Sequence, residues 1–191
     1  MDRVRPQARD ERVALVFVTG NITEGESSST GDAVSGPFVR AMERLEEDED
    51  VKAVVLRINS PGGSPVQAGY VNDEVRRLKK KHPDIPVYAV ITDMCTSGGY
   101  YIAVAADEIY VDKSSIVGSI GVLMNGFGLV QGMEKLGVER RLITAGEHKG
   151  IMDPFSPITD FDLQHVQQLL DNIHKQFIGV VREGRGDRLQ E

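Results

Sequence analysis

Residues 86–111, "PVYAVITDMCTSGGYYIAVAADEIYV", decide how this chain is read. The opening Pro86-Val87-Tyr88-Ala89-Val90-Ile91 has the apolar, β-branched content of a short buried strand. Residues 99–106 are small or apolar and predict a buried helix, and 108–112 predict a second strand. A strand, a helix and a strand in succession predict a parallel pair, because parallel strands need a crossover. Ser97-Gly98-Gly99 falls where the first strand hands over to the helix, near the positive end of a helix dipole. That place suits a nucleophile, and it suits an N-cap equally well.

The same alternation extends in both directions. Arg12–Val18 reads as a strand, and "TGNITEGESSSTGDAVSG" after it reads as a polar, glycine-rich mobile loop over about 20–35. Pro37 sits early in a helix that runs to about Asp48 with Phe38, Met42 and Leu45 on one face. Val51–Ile58 is a strand whose Val-Val-Leu centre suits a sheet buried on both faces. The loop Asn59-Ser60-Pro61-Gly62-Gly63 leads into a helix ending near Lys81. "SSIVGSIGVLM" carries strand signals, "LVQGMEKLGV" is helix-like, and Val138–Thr144 reads as a strand. A last helix spans about 160–182, with Leu163, Val166, Leu169, Leu170, Ile173, Phe177 and Val180 on its apolar face. These signals predict an α/β fold with a largely parallel sheet flanked by helices, in one domain over 1–191 with its core in 12–186.

Composition excludes several function classes. The 191 residues are 40% apolar, enough for a real core, and the net charge is −7, which argues against a nucleic-acid surface. The basic cluster Arg76-Arg77-Leu78-Lys79-Lys80-Lys81 ends a predicted helix, where cations suit the dipole. One cysteine, Cys95, rules out an internal disulfide framework, and His82, His148, His165 and His174 have no metal-ligand spacing. No metal or cofactor is expected. No apolar run approaches the length of a membrane span, and the polar stretch after Met1 is unlike a signal peptide, so the chain as given is expected to be soluble.

Two glycine loops follow strands, "NSPGG" at 59–63 and "TSGGY" at 96–100. In an open α/β sheet both fall on the edge where sites gather. The Gly63 and Gly98 amides could form an oxyanion hole, or both loops could be tight turns and nothing more. Serine attacks only after a base takes its proton. His148 and Lys149 are the candidates, and a lysine serves only when desolvated. Cys95 is a rival nucleophile that composition makes a small buried filler.

The four stretches "NSPGG", "SGGYYIAVAADEIYV", "VGSIGVL" and "TAGEHKGIMDPF" together resemble the S49 peptidases, the signal peptide peptidase A family, from about Val13 to Gly186. The likeness is to half-length bacterial members with one catalytic repeat, and it does not separate that branch from the SohB-like one. It implies a ClpP/crotonase-like fold and a serine endopeptidase with a Ser-Lys dyad acting on remnant signal peptides and other extended apolar peptides. Ser97 matches the family nucleophile and Lys149, 52 residues further on, its general base. Ser119 matches a serine that orients the lysine, and Gly63 and Gly98 match the oxyanion donors. The resemblance also implies a homo-oligomer in which Lys149 serves a neighbour's Ser97. It implies, too, a full-length protein anchored in the bacterial cytoplasmic membrane with its catalytic part on the extracytoplasmic side. Against that pattern the chain looks like a catalytic core trimmed at both ends. Two rivals share the fold. A ClpP-like or crotonase-type enzyme is one, although residues 107–147 contain no histidine; a non-catalytic scaffold is the other.

Overall fold

The structure is a computed structural model that describes residues 11–25 and 31–189. The chain divides into two compact units, one running through Ile120 and resuming at Phe177, the other Gly121–Gln176. Each is described by itself.

The first unit is built on a parallel sheet of β1 (Arg12–Thr23), β2 (Ala33–Val34), β3 (Val51–Gly63), β4 (Val87–Thr96) and β5 (Glu108–Val111) in the order β2-β1-β3-β4-β5, with β6 (Ile116–Gly118) beside the far end of β4. Three helices lie between the strands in sequence: α1 (Ser35–Glu46), α2 (Pro65–Lys81) and α3 (Gly98–Ala103). This is the expected α/β architecture, consistent with a ClpP-like fold. Alternate residues of the central strands, Val16 and Val18, Val54, Leu56 and Ile58, Val87, Ala89 and Ile91, point into one core. Phe38 and Met42 of α1, Val71, Val75 and Leu78 of α2, and Ile102 of α3 complete it.

Because the helical side chains of this core all meet that one face, β3 is not buried on both sides as its Val-Val-Leu run suggests. Val55 is only half-buried and Arg57 is exposed, its guanidinium 5.6 Å from the ring of the exposed Phe17.

Three of the strands run longer than expected, and the additions form the functional edge. β1 continues through Gly20–Thr23, part of the stretch read as a mobile loop, and Ile22 is fully buried there. Residues 26–30, the centre of that stretch, lie outside the described residues. β3 continues through the whole Asn59–Gly63 motif, and β4 reaches Thr96. The added pairing is irregular. Between β1 and β3 the register passes from Thr19↔Asn59 to Asn21↔Gly62, and between β3 and β4 from Ile58↔Ile91 to Ser60↔Cys95. Bulges of this kind bend a strand and re-aim its side chains, which hydrophobic periodicity does not reveal.

The last helix, α5 (Asp160–Arg185), begins in the second unit and ends in the first. Of its expected apolar face only Phe177 is buried, together with Val181, against Val104; Leu163 and Leu169 are exposed. Its end is held closely. Phe177 lies 5.1 Å from the Tyr101 ring, Glu183 pairs with Arg76 at 2.5 Å, and a methyl at Gly184 would stand 2.1 Å from the Val104 carbonyl.

The second unit contains α4 (Val130–Leu136), closed by Gly137 in the left-handed conformation, and the first part of α5. Val138–Thr144 forms no strand. Its Val138, Leu142 and Ile143 are exposed, and no neighbouring strand among the described residues supplies the half-buried surface that β-forming residues fit. The helix expected at 99–106 is also shorter, ending at Ala103.

α1 and α2 are clasped by Glu46, whose side chain is 7% exposed and lies 2.7 Å from both Arg77 and Lys81. Burial raises the affinity of this carboxyl for its proton. The hydrogen bonds from Lys81 and Arg77 outweigh that effect and hold it below its ordinary value of 4.5. A depressed carboxyl stabilises the fold above its unfolded pKa and loses that contribution as pH falls through the folded value. The clasp is therefore complete above about pH 4.5 and fails below it. Glu46→Gln is expected to cost roughly 1 kcal/mol at neutral pH, kept small by solvent around the cations. It should also flatten the fall in stability below pH 4.5, read by denaturant titration at a series of pH values.

Candidate active site

Ser97 follows the last residue of β4 and precedes the first of α3, with φ 52° and ψ −123°. A residue with a Cβ occupies such a backbone only where its surroundings impose it, at a cost of about 1–3 kcal/mol. Here the main chain is fixed on both sides: Ser97 N–H donates to the Gly118 carbonyl at 2.9 Å, and the Ser97 carbonyl accepts from Tyr101 N–H at 3.0 Å. Although Ser97 stands at the helix N-cap, its side chain makes no capping hydrogen bond. The capping alternative left open by its position is thereby removed.

The two glycine loops meet beneath this serine. A methyl at Gly62 would lie 2.7 Å from Ser97 Cβ and 2.8 Å from Gly98 N, so only a glycine allows the contact. A methyl at Gly98 would come 3.4 Å from Gly63 N and 3.1 Å from Ile22 Cδ1. One at Gly63 would fall 2.3 Å from the Ile22 carbonyl oxygen. Gly62 and Gly63 both hold positive φ, 105° and 150°. The structure thus brings Ser97, Gly98 and Gly63 together. Ser119 joins them at one remove, directly after Gly118, which pairs with Thr96 and binds Ser97 N–H; its φ is 56°.

Residues that sequence reasoning passed over hold this edge in place. Asn59 Nδ2 donates to Asp93 Oδ2 at 3.0 Å, and Asn59 Oδ1 accepts from Met94 N–H at 3.2 Å, spanning the irregular part of the β3–β4 pair. Thr96 Oγ1 donates to the Pro61 carbonyl at 3.0 Å. Ser60 Oγ donates to the Gly20 carbonyl at 2.7 Å and accepts from Gly62 N–H at 3.1 Å. The polar residues within and beside "NSPGG" and "CTSGG" were the available signal.

Cys95 does not compete as a nucleophile. It lies on the buried side of β4, and burial pushes its thiol up to about 12, so the thiolate is not available near neutrality.

Lys149 belongs to the second unit, where it is exposed in a turn whose Lys149 N–H donates to Gly146 O at 3.3 Å. The segment after it is braced. Arg140 forms an ion pair with Asp153 and lies 5.4 Å from the Phe155 ring, and Ser156 Oγ donates to Asp153 at 2.6 Å. Met152 within it has φ 58°. His148, the other candidate base, is stacked on Phe161 at 3.7 Å, and Phe161 on His165 at 5.7 Å. Among the described residues no group of His, Cys, Asp and Glu is arranged to hold a metal ion, and no helix is long and apolar enough to cross a membrane.

Residues 79–190 match the family model described as "Peptidase family S49". Over 185 residues the chain is 38% identical to a protein of Brucella melitensis named Na(+)/H(+) antiporter NhaA, covering 97% of this chain and 25% of that protein. It is 31% identical over 181 residues to the putative signal peptide peptidase SppA of Enterococcus faecium, 93% of this chain and 52% of that one. It is 31% identical over 184 residues to protease 4 of Haemophilus influenzae, 96% of this chain and 29% of that one. The chain therefore spans from a quarter to about half the length of these relatives. With more than half of its length matched by the family model, the chain belongs to peptidase family S49, a family of serine peptidases.

Proposed function

We propose that this chain is the catalytic part of a serine endopeptidase that cleaves extended apolar peptides, remnant signal peptides among them, with Ser97 as nucleophile and Lys149 as general base. The observation that carries the reading is the Ser97 turn. A hydroxyl released from capping stands on a strained strand-to-helix junction, where only a glycine at 62 lets the chain pass against Ser97 Cβ and Gly98 N, with Gly63 N close to Gly98. Strain of this kind concentrates at functional sites. The relative named as a putative signal peptide peptidase supports the substrate class, and the one named protease 4 supports peptide hydrolysis.

In this mechanism neutral Lys149 accepts the Ser97 proton as Oγ attacks the peptide carbonyl. The carbonyl oxygen becomes the oxyanion and receives hydrogen bonds from Gly63 N–H and Gly98 N–H. The ammonium then protonates the leaving amine, and water releases the acyl group by the same steps in reverse. Ser119, placed beside Ser97 through Gly118, orients the lysine. His148, stacked on Phe161, is given no role in this mechanism.

A lysine must be desolvated to act as a base, whereas Lys149 is exposed. The second unit also exposes Leu123, Phe127, Leu136 and Ile143, each more than three-quarters accessible. Side chains of this size, if they lie together, are what a partner surface would cover. Both features support a homo-oligomer in which Lys149 of one copy serves Ser97 of the next; the likeness to SppA proteins supports association with the bacterial cytoplasmic membrane.

Hydrolysis of an apolar fluorogenic peptide tests the assignment. Ser97→Ala and Lys149→Ala are each expected to fall to background, and a Ser97→Ala that keeps its activity overturns the site. Mixing the two inactive variants after dissociation and reassembly should restore part of the rate if sites are shared, and nothing if each copy supplies its own pair. Gly63→Ala, which meets the Ile22 backbone, should lower kcat by roughly 100-fold or more, the loss typical of an oxyanion donor.

A further inference from the structure

The "NSPGG" stretch contains one serine, Ser60, that the mechanism does not use. Ser60 is completely buried, and it lies where both irregular registers of the sheet converge. Opposite β1, the strand spends three residues, Asn59 to Gly62, against two of its partner, Thr19 to Asn21. Opposite β4, it spends two residues, Ile58 to Ser60, against four, Ile91 to Cys95. Bulges leave main-chain groups without ladder partners, and buried ones are costly unless something else binds them. The hydroxyl of Ser60 binds one from each side of the distortion. It donates to the carbonyl of Gly20, a residue with φ 79°, and accepts the N–H of Gly62, two residues ahead of itself.

The second of these bonds fixes the peptide plane that enters Gly62, one residue before the plane that carries Gly63 N–H. The Ser60 main chain also touches the other donor loop: a methyl at Gly99 would stand 3.0 Å from the Ser60 carbonyl oxygen and 3.4 Å from its Cβ. Ser60 thus hydrogen-bonds β1 and the Gly62–Gly63 turn through its side chain, and its main chain lies against the start of α3.

We propose that Ser60 is a positioning residue for the oxyanion site: by bridging the Gly20 carbonyl and Gly62 N–H it holds Gly63 N–H on the point where Gly98 N–H also converges. The proposal rests on the assignment of those two amides as the oxyanion donors. It adds a residue that touches neither substrate nor the reacting atoms and that acts on the transition state alone. Donors aimed at a developing charge lose most of their effect when displaced by an ångström, while ground-state binding barely changes.

The test compares intact protein with Ser60→Ala in peptide hydrolysis and in inhibition by a peptide aldehyde. Ser97 Oγ adds to the aldehyde carbon, its proton passes to the base, and the aldehyde oxygen becomes an oxyanion in the same place as in catalysis. Ser60→Ala should lower kcat roughly 10- to 100-fold with KM held within about two-fold, and raise the aldehyde Ki by the same factor as the loss in kcat/KM. Ser60→Cys fills nearly the same space with a weaker donor and acceptor, and should fall between the two. It stands in should the alanine variant fail to fold. A kcat within two-fold of the parent, or a lower kcat with an unchanged aldehyde Ki, overturns the proposal. The Ser97→Ala control separates the two readings: if it is silent while Ser60→Ala is normal, only the positioning role is lost, and if it still cleaves, the site itself is misassigned.

Discussion

Everything at the functional edge depends on one backbone-to-backbone approach, that of the Gly62–Gly63 turn to the Ser97–Gly98 turn. Main chains come this close only where no side chain intervenes, and a Cβ at Gly62 or Gly63 would stand 2.7 Å or 2.3 Å from its nearest neighbour. The approach is not available to two regular parallel strands. β4 takes up extra residues before Cys95 returns to register with Ser60, which carries Thr96 and Ser97 over the end of β3. β1 reaches in from the other side, so that Ile22 underlies both Gly63 and Gly98. The strained φ of Ser97 follows from this route: the chain must turn within one residue from a strand pinned to Gly118 into a helix pinned to Asn72, whose amide donates to the Tyr101 carbonyl at 2.6 Å.

The sequence made some of this legible and hid the rest, for physical reasons. Hydrophobic runs such as Val87–Ile91 and Val51–Ile58 mark strands because their side chains fill a core, and the parallel order follows from the helices between them. The glycine loops were legible as candidate sites, with tight turns as the alternative, because both follow strands at the edge where sites gather. The strand extensions through Asn59–Gly63 and Asp93–Thr96 were not, since proline, glycine and aspartate lack strand propensity and are held there by Asn59, Ser60 and Thr96 side chains. Val138–Thr144 failed in the opposite sense. Its composition is that of a strand, yet propensity needs a neighbouring surface, and the described residues offer it none. The apolar face of α5 failed the same way. Its 3.6-residue period is that of a helix, but only Phe177 and Val181 are buried, with Val180 packed beside them.

These two failures fall in or beside the unit that carries Lys149, and that coincidence bears on the proposed chemistry. The parts of the mechanism that stabilise charge are local: two amides and a hydroxyl, fixed by a sheet that buries its own core and satisfies its bulges with Ser60 and Asn59. The part that moves the proton is not local. The segment after Lys149 is braced through Arg140 and Asp153, yet Lys149 itself is exposed. A braced backbone places a base without making it one, because the neutral amine is favoured by desolvation or a neighbouring positive charge and not by position alone. On this reading the oxyanion site is complete in every chain, whereas the base becomes competent only when a second surface closes over it. A protease assembled in this way has its nucleophile in place from the moment it folds and gains its catalytic power on association.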